Sequence, residues 1–238
     1  MNLWDKKAKT YSRYSAKLNT IQNQIFEECL KLNIDFNKKN IIDIGCGTGV
    51  WTLHLAKKAK KILALDSSKT MLEILKEDAK NLNLINIIYE NLSFETWSQK
   101  KLNTHFDLAF LSMSPALNDE KDYKNFLNLA KTKIYIAWAD YRKSNFLDPI
   151  FKHFNTQFKG FYEQDLENYL LEKNITFHKA IFNETRHIKR TREQAVENAL
   201  WHLNMNAITS SKKELLSLIK NDVFETINSK IKLLIINN

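Results

Sequence analysis

Three glycines within five residues are the first candidates for chemistry in this chain. Gly45, Gly47 and Gly49 are three of its four glycines. They follow an isoleucine-rich run that carries one carboxylate, Asp43, so the pattern predicts a buried strand, a tight turn and a helix that Thr48 caps. Glycine reaches positive φ and allows a ligand to lie against the backbone. The stretch therefore predicts a ligand-binding turn.

Polar groups also follow three later apolar runs. Asp66, Asn91 and the loop Ser112–Pro115 each stand directly after such a run. The carboxyl ends of parallel strands meet at one edge of a sheet, where open α/β folds bind their ligands. A carboxylate such as Asp66 can accept hydrogen bonds from two vicinal ribose hydroxyls, and Asn91 can both donate to and accept from an adenine edge. One nucleoside-like ligand could touch all of these groups.

Short apolar runs alternate with amphipathic segments through the first 140 residues. The predicted strands are 41–44, 62–65, 85–89, 106–111 and 133–139. Apolar residues at helical spacing mark the segments between most of these runs, and the same spacing at 18–32 predicts a helix before the first strand. This alternation predicts βαβ units, with a mostly parallel sheet covered by helices on both faces.

The second half of the chain is less regular. Predicted helices cover 145–154, 162–171 and 191–203, and apolar spacing at Leu216, Ile219, Val223 and Ile227 predicts one more. Candidate strands cover 176–188 and 231–236, and we expect these two to pair, one of them antiparallel. The predicted fold class is therefore α/β: a doubly wound, mostly parallel sheet of seven strands, with an antiparallel strand near the C-terminus.

Composition restricts the possible partners and the compartment. The net charge of +9 permits an anionic partner such as RNA, but the lysines are spread along the whole chain, which is more typical of a solvated surface. Two cysteines, Cys29 and Cys46, give neither a disulfide framework nor a metal cluster, so no metal is predicted. No apolar run is long enough for a signal region or a membrane span, which predicts a cytoplasmic protein.

The glycine turn resembles a motif of one large family. A dinucleotide fingerprint would place its third glycine one position after Gly49. The run D-I-G-C-G-T-G at 43–49 instead resembles motif I of the class I S-adenosylmethionine-dependent methyltransferases. The run from Asp66 to Leu72 is similar to that family's D-x-S-x-x-M-L pattern. Asn91 stands where the family usually has an aspartate, and in this position the chain departs from the pattern.

The resemblance covers roughly residues 35–140 and implies a Rossmann-like fold with S-adenosylmethionine as cofactor. The glycine turn would lie against the methionine and ribose parts of the cofactor, Asp43 would bind its amino group, and Asp66 would hold the ribose hydroxyls. The cofactor-binding residues implied in this way are Asp43, Gly45, Cys46, Gly47, Gly49, Asp66, Ser67, Met71, Asn91, Leu92, Ser112 and, from an N-terminal arm, Tyr14.

The length of the chain and its lack of a linker or repeat predict one domain over 1–238, which the resemblance would make a methyltransferase domain. Its segments would be a helical N-terminal arm (1–34), a cofactor-binding core (35–140), and substrate-side helices with closing strands (141–238). The basic stretch 186–192 could hold an anionic substrate or could be a solvated junction between a strand and a helix.

Methyl transfer from a sulfonium is an in-line displacement, so the protein mainly supplies alignment and exclusion of water. A base is needed only if the acceptor must lose a proton, and the candidate catalytic side chains are Ser112, Ser114 and Asp140. The loop after the fourth strand lacks the Asn/Asp-Pro-Pro-aromatic motif of enzymes that methylate base amines. We therefore predict a small-molecule acceptor. The alternatives are an RNA methyltransferase, favoured by the positive charge, and a non-catalytic binding module.

Overall fold

The computed structural model describes residues 3–100, 104–157 and 166–237. Contacts between these residues divide the chain into two compact units. Unit 1 holds the described residues of Met1–Ala137, Gln164–Ala180 and Leu233–Asn238, and unit 2 holds those of Trp138–Glu163 and Ile181–Lys232. Residues 162–165 of the helix predicted at 162–171 lie outside the described residues.

Eight strands are present in the described residues. They are β1 (Asn40–Ile44), β2 (Lys61–Leu65), β3 (Ile87–Glu90), β4 (Phe106–Ser112), β5 (Ala130–Trp138), β6 (Lys143–Ser144), β7 (His178–Arg190) and β8 (Val223–Asn237). In unit 1 the parallel order is β3-β2-β1-β4-β5. Strand order therefore reverses at β1, and a crevice beside such a reversal is the usual ligand site of this architecture.

Ten helices are present in the described residues. They are α1 (Leu3–Ala8), α2 (Thr20–Lys31), α3 (Thr52–Ala56), α4 (Lys69–Asn81), α5 (Phe94–Lys100), α6 (Glu120–Asn128), α7 (Leu147–His153), α8 (Leu166–Glu172), α9 (Arg192–Met205) and α10 (Lys212–Leu218). The expectation that Thr48 caps the helix after the glycine turn is wrong. Trp51 occupies the cap position of α3, while the Thr48 hydroxyl donates to the carbonyl of Ser12 over 2.6 Å.

The core of unit 1 is built by strands with continuous apolar runs. Ile42 and Ile44 of β1 are fully buried, and they belong to one cluster with Leu65 of β2 and Leu111 of β4. Runs that are buried on both faces are typical of parallel strands between two layers of helices. This packing fixes the carboxyl ends of β1, β2 and β4, after which the polar residues of the sequence follow.

Unit 2 has an apolar cluster of its own, formed mainly by α7, α9 and α10 around Phe151, Val196 and Leu215. The antiparallel strand lies here, since β8 pairs antiparallel with β6 and also pairs with β7. The helix predicted through Val223 and Ile227 is wrong beyond residue 218. Alternate residues from 225 to 231 are buried, a period of two that fits a strand and overrides the apparent helical spacing.

The predicted fold class is confirmed. The sheet is mostly parallel with an antiparallel region near the C-terminus, and it has eight strands where seven were expected because the two-residue strand β6 was not foreseen. In the described part of the chain, no helix combines the length and apolarity needed to cross a membrane.

Candidate functional site

The glycine turn after β1 takes a backbone conformation that favours glycine at three positions. Gly45, Gly47 and Gly49 have φ of 65°, 55° and 83°. A Cβ at Gly45 would overlap the side chain of Ser114, and a Cβ at Gly49 would overlap Leu75. A Cβ at Gly47 would meet nothing within 4 Å. The turn is therefore packed against protein at its first and last glycines and open at its middle one.

Asp66 joins this turn to the end of β2. Its carboxylate oxygens accept the backbone N–H of Gly47 and of Ser68, each over 2.8 Å. Burial raises the pKa of Asp66. The two N–H bonds favour the charged form and lower the pKa, but the net shift is upward. The side-chain amide of Asn91 donates to the Asp66 carbonyl over 3.0 Å, so the end of β3 lies at the same place.

Asp43 lies beneath the turn and is 2% exposed. The hydroxyl of Thr52, at the start of α3, donates to its carboxylate over 2.6 Å. Burial raises the pKa of Asp43, the Thr52 hydrogen bond lowers it and the nearby charge of Asp66 raises it, and together these leave it at about 7. A cation close to this carboxylate would favour its charged form.

The N-terminal arm reaches the same edge of the sheet. The carboxylate of Asp5 accepts the hydroxyl of Ser68 over 2.6 Å and the backbone N–H of Thr70 over 3.2 Å, at the start of α4. The charge of Asp5 contributes to the raised pKa of Asp66. Sequence reasoning assigned the arm to this region but missed Asp5, since the only signal for it was its place in the arm.

Tyr14 lies elsewhere on the arm. Its hydroxyl accepts from the Lys57 ammonium over 2.6 Å, and its ring lies 4.8 Å from the ring of His54, centroid to centroid. These contacts place Tyr14 against α3 and the residue that follows it. A contact between Tyr14 and a cofactor stays a prediction.

The loop after β4 lies against the glycine turn. Ser112 ends β4, and Met113 has φ of 50° while its N–H donates to the carbonyl of Ile136 on β5 over 2.8 Å. This bend brings Ser114 against Gly45, a contact that the sequence did not reveal. Ser112 and Ser114 are both half-buried, so they remain within reach of a bound molecule.

The remaining predicted contacts differ in exposure. Cys46 and Met71 are buried, Leu92 is half-buried and packs on the core of unit 1, and Ser67 is exposed. Burial raises the pKa of the Cys46 thiol well above its usual value, so that thiol stays protonated. A contact between Cys46 and a cofactor stays a prediction.

Asp140, a candidate base, belongs to unit 2. Its carboxylate accepts the N–H of Tyr141 over 2.8 Å and lies 3.8 Å from the ammonium of Lys230. The basic stretch 186–192 is partly committed to internal bonds, because Arg190 pairs with buried Glu225 and Arg192 donates to the carbonyl of Leu216 at the end of α10.

Known proteins are similar to part of this chain. Residues 41–132 match a family model for a methyltransferase domain. Ribosomal RNA small subunit methyltransferase A of Mesomycoplasma hyopneumoniae (strain 232) is 34% identical over 113 residues, covering 48% of this chain and 42% of that protein. The "Putative protein N5-glutamine methyltransferase" of Methanocaldococcus jannaschii is 38% identical over 101 residues, covering 41% of this chain and 49% of that protein. The chain thus spans less than half the length of these relatives.

A solved structure is similar over most of the chain. Precorrin-6y C5,15-methyltransferase from Geobacter metallireducens GS-15 shares 13% sequence identity and has a TM-score of 0.53, covering 96% of this chain and 94% of that chain. This likeness concerns the fold. The family match, for its part, makes residues 41–132 similar to a methyltransferase domain.

The buried state of Asp43 predicts a pH dependence of stability. The folded chain keeps this proton up to a pH of about 7, whereas the unfolded chain loses it near pH ~4. Raising the pH between these values therefore weakens folding, and above the folded pKa the penalty is constant. Asp43→Asn removes the titration and keeps an oxygen that can accept from Thr52.

Urea denaturation at stepped pH checks this prediction. The unfolding free energy of the wild type minus that of Asp43→Asn should fall by a few kcal/mol across the interval and then level off. Taking the difference cancels the titrations that both chains share. A difference that stays constant, or that rises with pH, would contradict the assignment.

Proposed function

We propose that this chain binds S-adenosylmethionine at the glycine turn and transfers its methyl group to an acceptor. The observation that carries the proposal is the pairing of Gly47 with Asp66: open space beside a glycine backbone lies next to a half-buried carboxylate that follows the neighbouring strand, β2. A nucleoside whose ribose faces Asp66 fits this arrangement, because each carboxylate oxygen still has lone pairs for a hydroxyl donor.

The charge of the site also fits this cofactor. In a chain whose net charge is +9, the carboxylates of Asp43 and Asp66 lie at or below the turn, and that of Asp5 lies at the start of α4, where its charge acts on Asp66. S-adenosylmethionine carries a sulfonium and an ammonium, and cations near buried carboxylates offset their desolvation. The residues present therefore suit a cationic nucleoside better than an anionic dinucleotide.

Each implied contact follows from this placement. Asp66 would hold the ribose hydroxyls, and Asn91 would meet the adenine with Leu92, Ser67 and Met71 nearby. From beneath the turn, the carboxylate of Asp43 would attract the amino group of the cofactor. Ser112 would face the methionine part of the cofactor.

When bound, S-adenosylmethionine supplies an electrophilic methyl group on an already charged leaving group. The chain therefore needs to orient the donor, admit the acceptor and exclude water. Ser114 packs against Gly45, and Ser112 or Ser114 can hydrogen-bond an acceptor. Asp140 is the candidate for taking a proton where the acceptor must lose one.

The methyl acceptor has two candidate classes, a small molecule and RNA. The small molecule predicted from the sequence rests on the missing Asn/Asp-Pro-Pro-aromatic motif after β4. RNA is the second candidate, favoured by the exposed face of β7 and β8 in unit 2, which combines an aromatic ring with lysines. The single domain over 1–238 and the cytoplasmic location stay predictions.

Calorimetry with S-adenosylhomocysteine tests cofactor binding. Asp66→Ala should weaken binding by about 1.5–3 kcal/mol because charge-assisted hydrogen bonds to the ribose are lost. The matched control is Asp107→Ala, which also removes a carboxylate that accepts a backbone N–H, that of Asn40, but at the amino end of β1. Equal affinities for the two variants would contradict the role of Asp66.

Turnover tests catalysis and the class of acceptor together. Methyl-labelled cofactor is incubated with the protein and a cell extract, which is then separated into low-mass and RNA fractions. We expect protein-dependent label in the low-mass fraction, strongly reduced with Asp66→Ala. Label in the RNA fraction alone would overturn the small-molecule prediction, and label in neither fraction would count against an enzyme.

A further inference from the structure

Strands β7 and β8 expose one face within unit 2. Their side-chain contacts follow an antiparallel register, because residue numbers rise along β7 while they fall along β8. Thr185 donates to the Asn228 side chain, and His187 contacts the Thr226 hydroxyl. We call this face the outer ribbon face. Its residues are Ile181, Asn183, Thr185, His187 and Lys189 of β7 with Phe224, Thr226, Asn228 and Lys230 of β8.

An aromatic pair lies on the outer ribbon face. Phe224 is 65% exposed, and its ring stacks on that of His187 with centroids 5.8 Å apart and an interplanar angle of 12°. Such a large exposed ring contributes little to folding. The ring of Phe224, stacked on His187, leaves a π-face exposed on which a planar group can stack. Nucleobases stack on such rings whatever their sequence, because every base has a π-face.

The charges of these strands are divided between the two faces. Lys189 and Lys230 are on the outer ribbon face. The two carboxylates of these strands within unit 2 are on the opposite face, where Glu184 pairs with Arg186 and buried Glu225 pairs with Arg190. One acidic group, Asp140, lies 3.8 Å from the ammonium of Lys230 and is half exposed. The face thus presents rings and cations, which complement a flexible polyanion.

We propose that the outer ribbon face binds an unpaired stretch of RNA. A base stacks on Phe224 and His187, the flanking phosphates meet Lys189 and Lys230, and Thr185 or Asn228 exchanges hydrogen bonds with a ribose 2′-hydroxyl. From Phe224 to Lys230 the strand rises about 20 Å, which suits a few nucleotides. This surface does not depend on the cofactor site.

Fluorescence anisotropy of the full chain with a labelled single-stranded RNA of about 12 nucleotides tests the proposal. Phe224→Ala should weaken binding about 5- to 150-fold, the range for loss of one stacked base. Phe224→Trp should retain binding, with indole emission quenched by the RNA. The control is Leu30→Ala, at an apolar residue 74% exposed on α2, which should leave affinity unchanged.

The lysines give a second readout. Lys189→Ala should weaken binding and lower the slope of log affinity against log salt by about one. Lys60→Ala, at an exposed lysine outside the outer ribbon face, should leave that slope unchanged.

Several results would overturn the proposal. These are a wild-type chain that does not bind the RNA, Phe224→Ala behaving like Leu30→Ala, or equal binding of single-stranded DNA or duplex RNA of the same sequence. Light scattering that shows a dimer dissociated by Phe224→Ala would assign the face to a second copy instead. Phe224→Ala should keep its affinity for S-adenosylhomocysteine, so failure here is distinguishable from failure of the proposed function.

Discussion

The carboxylate of Asp66 connects the parts of the candidate site. It accepts the N–H groups of Gly47 and Ser68, and the carbonyl of the same residue accepts the amide of Asn91. These bonds tie together the carboxyl ends of three neighbouring strands, β1, β2 and β3. Gly47 has a positive φ, so the conformation that directs its N–H to Asp66 is one that favours glycine. The glycine turn and the acidic residue thus act as one structural constraint.

A second constraint is electrostatic. Asp43 is buried below the turn, and the charges of Asp5 and Asp66 each raise the pKa of a neighbouring carboxyl. The arm and the core therefore place negative charge together in an otherwise basic chain. Such an arrangement costs stability, and a bound cation offsets that cost. Under the proposed function, the same groups that destabilise the site would favour a cofactor that carries a sulfonium.

Local patterns predicted the parallel half of the fold, because its strands are continuous apolar runs and its turn residues have narrow conformational preferences. They failed where a pattern fits two structures: apolar spacing at Val223 and Ile227 suits a helix, but the residues between them pair as a strand. Contacts between residues far apart in sequence, such as Asp5 with Ser68 and Gly45 with Ser114, leave no local signal. For the same reason the acceptor side stays less defined than the cofactor side.

The small number of glycines permits one direct measurement of the central claim. Labelling with ¹⁵N-glycine gives four backbone amide signals: Gly45, Gly47, Gly49 and Gly160, the last outside the described residues. Each glycine-to-alanine substitution, such as Gly47→Ala, removes one signal and thereby assigns it. Titration with S-adenosylhomocysteine should shift the three signals of the turn, with Gly47 shifting most because its Cα faces open space. Turn signals that stay in place at saturating ligand would contradict this account of the site.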